Sequence, residues 1–552
     1  MIFKVMMSGR QSKRRSIMKD RKVGIMTLAL TLIGLGVILT YNNFITLDMT
    51  KTLRILAAVS IIVLGVEFIV MEWSNRKSED KVRLKMSGLC IFTLIIIYAA
   101  SSIIPLGIVI NNEKITFHGW SLFNNFNQHQ YTFERSYEED VEDLTKFVVR
   151  NNYGDIEIVP TETTKVTVNA TIQVGLNEED ETKAETIADE TINIKSLGDI
   201  LEVSATRYQN NTSISIDYTI SVPSYLITAI NNGNGDVQIK GVKEVAVDNR
   251  YGDVVIRDIA GKVSLENQNG HITVNNIGDS LAVQNSYGNI TAVTIDGDTK
   301  IENKNGDVEV EGVSGDLDIE NRYDDIRFSQ ITGNVVIDQQ NGEVKGDQVG
   351  KSVEVSTKYS SVSLEDVKGD IDIETQNEDV TITDIGGNVV VTNQSGKVIG
   401  KNLGKDVSVK NKYAMVKLED VKGKVDVETQ NDLIELKNIE SDIKVIQRSG
   451  NITVENVSGD VDIESKYGNI NILNRNTFLK NVDIINESGD VSLDTPDDQE
   501  GKFVFYSKYG KIKTDKGLSI KEDNSEITVK ETLGSGSNTI SVQVKSGDIT
   551  LE

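Results

Sequence analysis

The chain has 552 residues, with 83 Asp+Glu against 58 Lys+Arg, 44 Gly, 4 Pro, 1 Cys and 3 His. A single cysteine excludes a disulfide scaffold and any Cys-based zinc or iron–sulfur cluster. A formal charge of -25 argues against a nucleic-acid partner, which needs a basic face to displace counterions.

The charge divides unevenly. Residues 1–110 hold fifteen Lys+Arg and six Asp+Glu, so the acidic excess lies in 111–552. Three apolar runs, at 22–41, 53–71 and 88–110, are each long enough to cross a ~30 Å hydrocarbon layer as a helix. They predict a membrane module over 1–110 with three transmembrane helices, with no small-residue cleavage site to make the first a removed signal. Basic residues cluster before the first run (Lys13, Arg14, Arg15) and between the second and third (Arg76, Lys77, Lys81, Arg83, Lys85). Because basic loops stay inside, the N-terminus is expected in the cytoplasm and the chain beyond 110 outside, as a multi-pass cell-membrane protein. Glu67 is the one carboxylate within a run. It is a candidate intramembrane contact, or it reaches the interface from the helix end.

Next, 111–144 reads as a juxtamembrane linker whose Trp120, Phe123 and Phe126 either rest at the outer interface or pack on the first strands. Residues 145–232 read as a β-rich N-terminal capping region, with KFVVRNNYGDIEIV and SISIDYTISVP as strands and a short helix near 178–192. A cap is needed because an open solenoid end exposes unpaired strand edges.

From about 233 to 484 the chain repeats every 18 residues in the form G-D-V-x-I-x-x-V-x-G-x-V-x-V-x-N-x-(Y/N), as in GDVVIRDIAGKVSLENQN at 252–269. V-x-I and V-x-V are two short strands with one face inward, and glycine turns the corners. One unit is then one coil of a parallel β-solenoid. The fold class expected is all-β, a long parallel β-solenoid of 18-residue coils preceded by three transmembrane helices. The strict period fails after Gly468, so 485–552 reads as irregular C-terminal coils and cap. Segments 342–395 and 396–449 are near copies sharing EDVKG and ETQN, a surface that grew by duplication.

Three columns of the repeat invite a role. An inward polar column (Asn267, Asn285, Asn303, Asn321, Gln339) needs hydrogen-bond partners, which stacked amides could supply along the rod. Tyr287, Tyr323, Tyr359, Tyr413 and Tyr467 recur at one corner; they either grip a ligand or pack the corner and hydrogen-bond at the surface. Asp253, Asp307, Asp325 and Asp379 stack at another position, but that column drifts to His271, Lys397, Met415 and Leu433, so continuous calcium sites are not expected. No metal site, cofactor or catalytic residue is assigned. His118, His129 and His271 have no neighbouring nucleophile in the sequence.

NNYGDIEIV near 151, the strand ending at Val222-Pro223, NGNGDVQI at 232–239, the G-D-V-x-I array and the closing KSGDITLE resemble the bacterial "putative adhesin" β-solenoid family, a domain of unknown function. LIGLGVILT and VSIIVLGVEFIV resemble the paired membrane segment of Lia-type envelope-stress proteins of low-GC Gram-positive bacteria. The three spans, the outward placement and the uninterrupted array point to a non-enzymatic, membrane-anchored binding or scaffold protein of the cell envelope, its expected partner an envelope glycan or protein. The alternative is an envelope-stress sensor or regulator acting on a membrane partner such as a sensor kinase, with Glu67 a possible contact.

Overall fold

The computed structural model describes residues 20–23, 27, 60, 63–64, 67, 83–86, 129–206 and 212–552. The chain divides into two compact units, Met1–His118 and Gly119–Glu552.

In the first unit, strand Asp20–Val23 pairs in parallel with Arg83–Met86, and Thr27, Ser60, Val63, Leu64 and Glu67 are helical. The expectation of three transmembrane helices, and the multi-pass placement built on it, is corrected here. Among the described residues no helix is long and apolar enough to cross a membrane. Lys22 and Val23, which open the first apolar run, belong to a strand. Apolar length alone nominates a span, since it reports what a segment avoids and not the element it adopts. Most of 22–41, 53–71 and 88–110, and the linker aromatics Trp120, Phe123 and Phe126, lie outside the described residues.

The second unit is the solenoid. Its strands pair in parallel and in register with the same strand one coil on: Val254 with Ile272, Ile272 with Ile290, Val263 with Leu281. The step is 18 residues through the array, 17 at its start (Val237 with Val254) and 21 at its end (Val461 with Val482). In a typical coil five apolar side chains point inward, as with Val254, Ile256, Ile259, Val263 and Leu265, all buried. A lone coil cannot offset its ordering entropy with so few; ladder bonds and contacts to two neighbours make the stack stable.

The spacing V-x-I-x-x-V breaks strict alternation, and the backbone shows how. The residue before the third apolar position lies in the left-handed region: Asp258 at φ 55°, Asn276 at 58°, Asp384 at 57°, Asn402 at 55° and Asn438 at 54°. This inserts one residue and re-aims the next side chain inward. Asn and Asp tolerate that basin better than other side-chain-bearing residues.

Both ends of the rod use an exchange of coil order. At the N-terminal end Lys146–Asn151 lies between Ile200–Ala205 and Ile227–Asn232, and Ile156–Thr161 between Ser213–Pro223 and Val237–Lys240. The coil made second in sequence is thus outermost. Its exposed edge is closed by antiparallel strands, Lys165–Leu176 on Ser213–Pro223 and then His129–Asp140, with Ile192–Leu197 on Ile200–Ala205. Helix Glu181–Thr191 packs beside them, its N-terminus capped by Asp180, which accepts from Lys183 N at 2.9 Å. At the other end the last coil inserts: Thr539–Ser546 sits between Val482–Ser488 and Gly501–Ser507. Glu526–Leu533 and Ile520–Asp523 close that edge antiparallel.

Candidate functional site

Three corners of the coil carry columns of polar side chains, and their hydrogen bonds separate structural columns from available ones. The inward amides are buried, with Asn285, Asn303 and Asn321 at 5%, 3% and 1% exposure. They do not bond to one another. Each Nδ2 donates to corner carbonyls of its own coil and the one before: Asn303 to Gly306 O at 3.1 Å and Gly288 O at 3.2 Å, Asn285 to Gly288 O and Gly270 O at 3.3 Å. The column therefore staples the glycine corner.

The stacked aspartates are likewise engaged. Asp236 Oδ1 accepts from Asp253 N at 2.8 Å and Asp253 Oδ1 from His271 N at 2.7 Å. His271 continues the ladder through Nδ1, which accepts from Asn289 N at 3.1 Å. A second ladder serves the opposite turn, where Asp298 accepts from Asp316 N, Asp316 from Asn334 N and Asp370 from Asn388 N, at 2.7–2.9 Å. These residues line a shallow groove of about 1000 Å³ running past Lys262, Ser280, Asp298, Asp316 and Asp370. A second groove of about 820 Å³ follows the left-handed column from Asp366 to Asn456. There Asn402 Nδ2 donates to Asp384 Oδ1 at 2.7 Å, and Asn438 Nδ2 to Asp420 Oδ1 at 2.8 Å. Asp298, Asp316, Asp370, Asp384 and Asp420 thus serve as backbone and amide acceptors. Among the described residues no group of His, Cys, Asp and Glu is arranged to hold a metal ion.

The tyrosine corner is different. Tyr287, Tyr323, Tyr359, Tyr413 and Tyr467 are exposed by 47–57%. Pairing aligns them in one column with intervening asparagines: Tyr251 with Asn269, Asn305 with Tyr323, Asn341 with Tyr359. Tyr153, Tyr251 and Tyr509, also half-exposed, occupy the same place before the corner residue and were recoverable from the sequence by their Tyr-Gly pairs. None of these hydroxyls has a hydrogen-bond partner among the described residues. Two of the intervening asparagines close the corner: Asn305 Nδ2 donates to Ser286 O at 3.2 Å and Asn377 Nδ2 to Lys358 O at 3.4 Å. A tyrosine at this position gives up that bond and presents a ring to solvent instead.

Glu67 is buried in the first unit, and its Oε2 accepts from Thr27 N at 2.9 Å and Thr27 Oγ1 at 2.6 Å. The carboxylate is thereby held by a segment forty residues earlier in the chain.

The repeat, its corner glycines and its capped ends match the Toastrack DUF4097 family over residues 144–366 and 368–552. The chain belongs to the Toastrack family. Both matches fall within the solenoid unit, so the Toastrack assignment does not reach the segment that resembles Lia-type proteins. A solved structure described as "a putative cell adhesion protein from Clostridium sporogenes ATCC 15579" is similar over 76% of this Toastrack chain and 99% of that one, at 10% identity and a TM-score of 0.13. No curated protein matches.

Proposed function

We propose that this Toastrack chain is a non-enzymatic, adhesin-like binding or scaffold protein of the bacterial envelope, contacting an envelope glycan or protein along its tyrosine corner. The observation that carries the reading is the contrast between columns. The aspartate ladders and the amide N–H donors are spent on the fold and the amide column is buried, whereas the tyrosines leave rings half-exposed and hydroxyls unpartnered where a ligand can reach them. Coils stack at ~4.8 Å, so rings two or three coils apart repeat every ~10–14 Å. A long line of equivalent weak contacts suits avidity, in which each further contact is made at high effective concentration.

The test is co-sedimentation of the full-length protein with isolated bacterial envelope fragments. Tyr323→Asn, Tyr359→Asn and Tyr413→Asn combined should sharply reduce the pelleted fraction. Undiminished pelleting of a folded triple variant would remove the tyrosine corner from the reading.

A further inference from the structure

The position before each corner tyrosine has a pattern of its own. Tyrosine is preceded by a cation in Arg250-Tyr251, Arg322-Tyr323, Lys358-Tyr359, Lys412-Tyr413 and Lys466-Tyr467, and by Ser286 at Tyr287, whereas the coils with asparagine there have Gln268, Gln340, Gln376 or Gln430 in the same slot, with Lys304 before Asn305 the exception. Both side chains of the dipeptide face out, since the residue before them is the buried staple and alternation turns the next one to solvent. The coupling of cation to ring is not needed by the fold, because Gln-Asn coils stack in the same register.

These cations are also unspent. Elsewhere on the rod Lys300 pairs with Glu302, Lys417 with Glu435, Lys424 with Asp442 and Lys437 with Glu455. Among the described residues no carboxylate forms an ion pair with Arg250, Arg322, Lys358, Lys412 or Lys466. Unpaired lysines such as Lys262, Lys345 and Lys401 also stand elsewhere on this chain of net charge -25, so what sets the corner apart is that its cations stand next to exposed aromatic rings.

Resting on the reading of the rod as a binding surface, we propose that this corner holds a linear acidic polysaccharide lying along the rod, with pyranose faces on the tyrosines and its sparse anions on the preceding Lys and Arg. Spacing decides between polyanions. From Arg250 to Lys466, counting Lys304 and Arg448 in the same slot, cations occur on average every second coil, or every ~10 Å. That is close to the length of one disaccharide in an extended chain, and so to a polymer with one charge per two sugars. A nucleic-acid strand carries a charge every ~3.4 Å. Most of its phosphates would face the acidic residues beside the corner, such as Glu320 and Glu464, two positions before Arg322 and Lys466. At physiological salt the screening length of ~8 Å lets the corner act locally against the acidic rod, and only for a ligand that stays on it.

The experiment measures retention of the full chain on four immobilised polymers. They are hyaluronan (one carboxylate per disaccharide), a neutral chitin oligosaccharide, heparin and single-stranded poly-dT. Two variants use residues the stack already accepts in these slots: Arg322→Gln/Lys358→Gln/Lys412→Gln, and Tyr323→Asn/Tyr359→Asn/Tyr413→Asn. Hyaluronan should be retained best, in a salt-sensitive way, and each triple variant should weaken retention by roughly tenfold or more, as three exposed charge contacts allow. Retention unchanged in the Gln variant overturns the charge pairing, and with loss in the Asn variant it leaves the tyrosine-corner reading standing. Tighter binding to heparin or poly-dT overturns the sparse-anion match. Retention of none of the four overturns this proposal alone, because envelope co-sedimentation tests the broader reading.

Discussion

Replacing Gly288 by alanine puts the stacking geometry to a quantitative test. Gly288 sits at φ +130°, in a region open in practice only to glycine. An added Cβ would overlap the carbonyl of Gly270 in the preceding coil. Relief requires the two coils to part, yet they are tied there by Gly270 N donating to Tyr287 O at 2.9 Å and by the Asn285 staple. Backbone strain of ~2 kcal/mol adds to one or two lost bonds at ~1 kcal/mol each. A stiffer unfolded chain returns ~0.5–1 kcal/mol. The expected net cost is about 3 kcal/mol. Gly312 supplies the control. It lies at φ +72° with Thr294 Cα as nearest obstacle at 3.7 Å, so Gly312→Ala should cost only about 1 kcal/mol. Long arrays do not unfold in one step, which makes native-state hydrogen exchange the suitable assay. Amides of 285–306 should open roughly a hundredfold more readily in Gly288→Ala, and under about tenfold more readily around 312 in the control. Equal effects at the two sites would refute the claim that carbonyl overlap between coils dictates the corner glycine.

Three further outcomes are expected. Asn303→Leu removes donations to Gly288, Asn305 and Gly306 carbonyls and should destabilise its coil by ~2–3 kcal/mol, while Asn303→Thr should cost less, as Thr357 and Thr375 fill that slot; hydrogen exchange at 299–310 reads both. Tyr218→Phe should be neutral or raise stability by up to ~1 kcal/mol in denaturant unfolding of the N-terminal end, because the buried hydroxyl has no partner. Asp548 accepts from Lys511 N at 2.8 Å and from Lys513 Nζ at 3.2 Å, and the backbone bond first, then the lysine, hold its carboxyl below the usual range. A depressed folded value gives stabilisation that is present above the unfolded value and lost as pH falls through the folded one. Protection at 512–514 and 549–551, taken relative to the intrinsic exchange rate at each pH, should therefore fall as pH drops below ~4, and Asp548→Asn should flatten that dependence.

The solenoid was legible in the sequence because one physical signal, Val or Ile at fixed places in an 18-residue period, recurs without slippage and has one geometric solution. The left-handed column was written into the motif as V-x-I-x-x-V, and Asp258, Asn276 and Asn402 mark it; without the backbone they read as outward polar residues. The exchanged coils at the ends left no local mark. Val482 pairs with Ile540 across 58 residues of sequence, and nothing in either segment announces an insertion. The spans failed for the opposite reason: an apolar run is a strong local signal that does not specify its element, and Val23 stands in a strand. At the corner, the tyrosines are legible in the sequence by their period, while the preceding Lys or Arg is not, because charge on a solvated strand is ordinary.

The most direct measurement of the binding surface is site-specific photo-cross-linking. A photoreactive phenylalanine analogue replaces Tyr359 in one full-length protein and Asp384, at the left-handed corner, in another, and each is irradiated on bacterial envelope fragments. Cross-linked product is expected from position 359 and little from 384. Equal yields from both positions, or product from 384 alone, would contradict a binding surface along the tyrosine corner.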